Sequence, residues 1–396
     1  MTETATNESV EYVSTDAAVE ALAAELEKAG RIAVDTEADS LHHYFEKVCL
    51  IQIAAADSVY LVDPLTGANL KPLLEVLSRR PLLLHGADYD LRMLFRDFGF
   101  RASEVFDTMI ASKLLGYERI NLAGLVEKHF EVVLPKHGQR ADWSRRPLPP
   151  ALIGYAANDT RYLERLAQAL EKELDAAGRL NWHREICRKL LDQAAAPLTD
   201  SDPEKVWRVK GWKTLESPRA QAVLRSLWHW RDTEAQRVNL PPFRVLSNEA
   251  LVALAAWGEK NDDYATVPKL PRNCTGRRLH ALKKAVTQAR RLPDSQLPKP
   301  IVSARPPRIP NFDELNSKLK QIRDAKAVEI GLEPSLLAPA ATLIAVAKAR
   351  PATLEALKEA GELHDWQVAL LGEDFLKIIV GIKTRTQQSH AGGTPE

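Results

Sequence analysis

The chain has 396 residues, 45% of them hydrophobic and 27% charged, which excludes a disordered, collagenous or coiled-coil protein and predicts two or three packed units. Three separated cysteines (Cys49, Cys187, Cys274) with no CxxC pair support neither a disulfide framework nor a cysteine zinc site. The net charge of +1 conceals an asymmetry: residues 1–175 hold 19 Lys+Arg against 28 Asp+Glu, and residues 215–300 hold 15 against 8. A basic segment suits a phosphate backbone, whereas clustered carboxylates repel one unless cations neutralise them.

In chain order, Arg31–Glu37, Val48–Ala54, Ser58–Val62 and Leu82–His85 are short apolar or β-branched runs between polar turns, and they predict strands. Helical patterns interleave at 16–29, 69–79, 88–98, 108–115, 121–129 and 149–176, so an α/β unit with a mixed sheet flanked by helices is expected. Past residue 180 the pattern is helical and rich in Trp (Trp182, Trp207, Trp212, Trp228, Trp230). Six prolines within 292–310 predict a semi-rigid linker, and the polar tail from Thr384 to residue 396 is expected to be disordered. A repeat spans that linker at an offset of 92: Arg231, Asp232, Ala235, Leu240 and Pro242 match Arg323, Asp324, Ala327, Leu332 and Pro334. Duplication of a small helical module is the reading. The acidic polar N-terminus resembles no secretory signal, and the longest nearly apolar run, 336–347, is too short to span a membrane. A soluble cytoplasmic protein without a membrane partner is expected.

The acids carry the functional signal. Asp35 and Glu37 share one strand face by the period of two. Asp90 falls where a strand passes into a helix, and Tyr155 and Asp159 share a helix face at i,i+4. Carboxylates gathered in an apolar sheet environment repel one another unless divalent cations sit among them, and oxygen-only ligation suits Mg2+ or Mn2+ rather than zinc. Two such ions about 4 Å apart form the clamp used in phosphodiester hydrolysis.

These motifs resemble the ribonuclease D branch of the DEDD 3′→5′ exonucleases: Asp35-Thr-Glu37, the Asp90 segment and Tyr155-x-x-x-Asp159, joined by Leu50-Ile-Gln52, Asp63-Pro64, His85-Gly-Ala, Asp107-Thr108, Asn121-Leu122 and Gln139–Pro147. Gly154 stands where the sibling subgroup has histidine, so the tyrosine version is implied. The resemblance implies a ribonuclease H-like exonuclease domain in residues 1–200. It also implies two HRDC-type helical domains, at 213–292 and, in divergent form, at 311–383, separated by the linker at 293–310. Asp35, Glu37, Asp90 and Asp159 are the expected ligands of two divalent cations, and Tyr155 the group that orients the attacking water. Trimming of RNA with a free 3′ end is implied, transfer-RNA precursors being the family expectation, by a monomer that needs no nucleotide cofactor.

Other candidates remain open between two readings. Gln52 and His85 could touch the terminal nucleotide or be hydrogen-bonded core groups. Arg140 could meet phosphate, and Trp143 could stack on a base or pack in the core. His42-His43-Tyr44 reads as substrate contact or solvated loop rather than a metal site. Arg277, Arg278, Lys283, Lys284, Arg290 and Arg291, with tryptophans nearby, are candidate RNA-backbone contacts against the alternative of a solvated charged face. A DNA 3′→5′ exonuclease and a non-catalytic RNA-binding protein are the competing functions; the absence of a P-loop excludes a fused helicase.

Overall fold

The computed structural model describes residues 10–56, 58–135, 138–196, 202–261, 266–268, 270–272, 274–299 and 309–391, with 383–391 described by backbone only. Six strands form one mixed sheet: β1 (Val10–Val13), β2 (Ile32–Ala38), β3 (Val48–Ala55), β4 (Ser58–Val62), β5 (Pro81–Leu84) and β6 (Glu104–Asp107), in the order β1-β4-β3-β2-β5-β6. The β2–β3 and β3–β4 pairs are antiparallel, and the other three are parallel. β3 reads as a continuous apolar run because both its faces are covered. β1 (Val10–Val13) and β6 (Glu104–Asp107) are interrupted by acids, so no apolar run marks them as Leu82–Leu84 marks β5.

On one face, α1 (Asp16–Leu26), α2 (Lys71–Arg79) and α3 (Asp88–Phe98) pack against Val34, Ile51 and Ile53. The chain then forms α4 (Thr108–Leu114), α5 (Leu122–Phe130), α6 (Pro150–Arg161), α7 (Leu163–Ala176) and α8 (Leu180–Ala194). α6 and α7 cover the opposite face: Ala156 packs with Leu50 and Leu61, and Leu163 and Ala167 with Ala33 and Leu83. The single helix expected over 149–176 is thus two, divided at Tyr162 (φ −97°, ψ −5°), which lets α6 lie along β2, β3 and β4 while α7 reaches β5.

Two helical modules follow. The first contains α9 (Pro218–Val238), α10 (Pro242–Val245), α11 (Asn248–Lys260) and α12 (Gly276–Arg290); the second contains α13 (Phe312–Ile330), α14 (Pro334–Leu337), α15 (Ala340–Ala349), α16 (Leu354–Gly361) and α17 (Asp365–Ala391). The repeat is structural: buried Arg231 donates to Leu246 O at 2.9 Å, and buried Arg323 donates to Ala338 O at 2.8 Å. Donors and acceptors alike are 92 positions apart. α17 runs to Ala391, so the segment expected to be disordered from Thr384 is helical that far. Residues 300–308 of the proline-rich segment and 392–396 of the tail lie outside the described residues.

The modules dock differently. Trp366 of the second stacks on Trp182 of α8 with centroids 4.6 Å apart, inside an apolar cluster shared with Leu166, Leu170 and Leu174 of α7. The hydrophobic cluster of the first module includes no residue of the sheet unit. That module is held by hydrogen bonds: Asn239 Oδ1 accepts from Tyr44 N (3.1 Å) and Phe45 N (3.2 Å), and the Tyr44 hydroxyl donates to Asp232 (2.9 Å).

Candidate active site

Asp35 and Glu37 point from the end of β2 toward α6, and Asp159 meets them from that helix. One carboxylate oxygen from each of the three lies within 4.8 Å of the other two. Asp90 is set apart from this trio. Its Oδ1 accepts from both Thr36 N (3.1 Å) and Thr36 Oγ1 (2.6 Å), so the residue between the two β2 acids ties the fourth acid to the same strand. Asp90 is placed by Asp107, whose carboxylate accepts from Gly86 N (3.0 Å) and Ala87 N (2.8 Å) in the turn that launches α3 while capping α4 through Met109 N and Ile110 N.

Crowding and burial disfavour negative charge here. Burial first, then Asp90, Asp159 and Glu37, push the Asp35 carboxyl well above the usual range. Burial, Asp159 and Asp90 push Glu37 up to about 9. Burial and Asp90 push Asp159 up to about 7; burial, opposed by the Thr36 hydroxyl, raises Asp90 to about 6. Hard oxygen donors that repel one another at this spacing fit divalent cations, whose charge reverses the penalty.

The Tyr155 hydroxyl is raised by burial and by Asp159, Glu37 and Asp35, so it is protonated at neutral pH. Its ring lies against Gly138, where an added Cβ would clash with a ring carbon, and Gln139 adjoins the hydroxyl. Thr36, Asp107 and Gly138 were not singled out as functional in the sequence. Thr36 carries a signal by lying between two motif acids, and Asp107 by belonging to the Asp107-Thr108 signature.

The remaining candidates divide. Trp143, offered as a base-stacking group, is 1% exposed and packs behind Tyr155 with ring centroids 6.1 Å apart, so it supports that tyrosine instead. Arg140 is exposed beside the site. His85 shares a hydrogen bond with Thr108 Oγ1 at 2.9 Å; burial lowers its pKa, and its Nε2 has no partner. Gln52 is sealed from solvent with neither amide atom bonded.

His42 and His43 are partly exposed and hydrogen-bonded, and among the described residues they belong to no cluster of metal-ligating side chains. His42 Nε2 donates to Arg140 O (3.1 Å) and its Nδ1 accepts from Arg244 (3.3 Å); His43 lies between Ser144 Oγ (2.9 Å) and Asn239 Nδ2 (3.2 Å). The pair therefore joins the first helical module to the segment that carries Gln139 and Arg140.

Of the six basic candidates, Arg278 is withdrawn because it pairs with Glu234 at 2.8 Å in the module's interior, and Arg290 donates to Asn261 O. Arg277, Lys284 and Arg291 are exposed and recur every seven residues, which aligns them on one helix face. The tryptophans offer that face no stacking platform: Trp207 is fully buried, and Trp212, Trp228 and Trp230 pack around the same core.

A mixed sheet with acids on a central strand and on two helices, followed by paired helical modules, defines a 3′→5′ exonuclease of the DEDD type. The sequence profile described as 3′-5′ exonuclease matches residues 10–175, and that of the HRDC domain matches residues 220–263 and 313–379. Ribonuclease D of Gluconacetobacter diazotrophicus is 31% identical over 353 residues, covering 88% of this chain and 87% of the relative. The chain belongs to the ribonuclease D family. Its fold is also that of a solved Bifidobacterium adolescentis protein (TM-score 0.79, 23% identity, 93% and 96% of the two chains) and of Escherichia coli RNase D (TM-score 0.67, 23% identity, 94% and 99%). Among the described residues no helix is long and apolar enough to cross a membrane.

Proposed function

We propose that the protein trims RNA from its free 3′ end, transfer-RNA precursors among its substrates, by hydrolysis assisted by two divalent cations, Mg2+ or Mn2+, with release of nucleoside 5′-monophosphates. The observation that carries this reading is the meeting of Asp35, Glu37 and Asp159 within 4.8 Å beside Tyr155. These three carboxylates, with Asp90 through the oxygen not committed to Thr36 or through water, would hold the cations. Cations bound there supply Lewis acidity and neutralise charge on the oxygen that departs when the P–O3′ bond breaks.

The chain's own groups do the rest. Protonated Tyr155 orients the attacking water by hydrogen bonding, since its raised pKa makes it a poor base at neutral pH. Arg140, exposed at the rim, meets phosphate, while His85, whose Nε2 is sealed from solvent, acts from within the protein. The body of the RNA lies along Arg277, Lys284 and Arg291 of the first helical module, with Lys283 beside them, and the protein works as a cytoplasmic monomer. Hydrolysis of 3′-labelled RNA and DNA, with Mg2+, Mn2+ or chelator, tests the reading. Stepwise loss of 5′-monophosphates from RNA that stops in chelator is expected; full activity in chelator, or preference for DNA, overturns it.

A further inference from the structure

Gln52 is fully buried, and neither its Oε1 nor its Nε2 has a hydrogen-bond partner. A side-chain amide carries two donors and an acceptor, and leaving them unmet costs their whole desolvation penalty. Methionine or leucine of similar volume would fill the place without that cost. The strand register shows what the amide adjoins: Gln52 of β3 lies directly opposite Asp35 of β2 on one side and Leu61 of β4 on the other. Opposed residues of antiparallel strands project from the same face with Cβ atoms about 5 Å apart. Along the strand, Leu50 packs with Ala156 of α6, and Ala54 lines a cleft with Thr160 of the same helix. The amide is therefore enclosed between the sheet and α6, beside one carboxylate of the trio.

We propose that Gln52 is a positioning residue for Asp35. Its Nε2–H reaches the Asp35 carboxylate through one buried water, and so fixes the rotamer with which Asp35 faces Glu37 and Asp159. Sealed from solvent, Gln52 touches no nucleotide; it acts through Asp35. The inference rests on reading the carboxylate trio as a cation site, and it adds the group that aims one of the three ligands.

The test compares the wild-type full-length chain with Gln52→Met and Gln52→Leu in three measurements: Mn2+ affinity by calorimetry, kcat and KM on 3′-labelled RNA, and Tm in chelator. Cation affinity and kcat should each fall about 10–100-fold, the usual effect of losing a group that orients a metal ligand, with KM within about threefold. In chelator the Tm should hold, because an apolar side chain of similar volume fills the same place. Unchanged Mn2+ affinity and kcat in both variants would overturn the proposal. So would a fall in affinity matched by a fall in Tm, which would mark Gln52 as packing. If the wild-type chain binds no Mn2+, the cation-site reading fails and takes the inference with it; binding by wild type with equal binding by the variants fails Gln52 alone.

Discussion

Thr36 gives both its backbone N–H and its hydroxyl to a single oxygen of Asp90, joining the strand that carries Asp35 and Glu37 to the first turn of α3. Thr36→Val keeps the shape and the N–H but removes the hydroxyl. A hydrogen bond to a charged group is worth about 1.5–3 kcal/mol, so kcat/KM on labelled RNA should fall roughly 10–100-fold, and Thr36→Ser should restore most of it. Equal rates for Val and Thr would show that Asp90 needs no such anchor.

Removing one ligand charge separates chemistry from folding. Asp35→Asn and Asp159→Asn should each abolish turnover while leaving the far-ultraviolet circular dichroism unchanged, since both side chains border a partly open site. Tyr155→Phe should keep cation binding and lower kcat about 10²–10⁴-fold, the range for a lost proton-handling or orienting group. Gly138→Ala should approach the same loss by a different route, because the new methyl would occupy the place of the Tyr155 ring. Wild-type kcat in Gly138→Ala would mean that the ring's position is not needed.

The crowded acids make stability depend on pH. Glu37, Asp159 and Asp90 titrate near 9, 7 and 6 in the folded protein, above the value near ~4 of an unfolded chain. The folded state thus binds more protons than the unfolded one between those limits. Its advantage is complete below about pH 4 and is lost as pH rises through the folded values. In chelator, Tm should decline from about pH 5 to pH 9, and saturating Mn2+ should flatten the decline. A Tm that rises across this window in chelator would contradict the geometry of the cluster.

Charge reversal distinguishes surface from interior in the basic module. Replacing Arg277, Lys284 and Arg291 by Glu should weaken binding to long RNA and make its salt dependence shallower by roughly one log–log unit per phosphate contact, with stability intact. Arg278→Gln should do the opposite. The Glu234 carboxyl is held down to about 2 by hydrogen bonds to Arg237 and Arg278, so its loss should cost about 1–3 kcal/mol of stability with little effect on the salt slope. Equal salt slopes for wild type and the triple variant would move the RNA path elsewhere.

What the sequence disclosed and what it withheld follow from the range of the forces involved. Asp35 with Glu37, and Tyr155 with Asp159, are legible because a spacing of two matches the strand period and a spacing of four is close to the 3.6 residues of a helical turn. The partner of Arg278 lies 44 positions away and is set by how α9 meets α12. The contacts of His43 and Tyr44 lie more than 180 positions away across the docked module. No local pattern encodes such distances. Of the two readings open for Trp143, core packing is the one found: the segment 138–146 folds under α6, which no local pattern reveals.

The two docking surfaces also differ in what happens when they part. The second module is fixed by stacked tryptophans in a shared core, whereas the first is held by exposed hydrogen bonds from Asn239, Asp232 and Arg244 to the His42–Phe45 loop. Bonds of that kind exchange readily with water, whereas parting the stacked tryptophans would expose apolar surface. The polar seam beside the acids is therefore the more easily parted of the two docking surfaces.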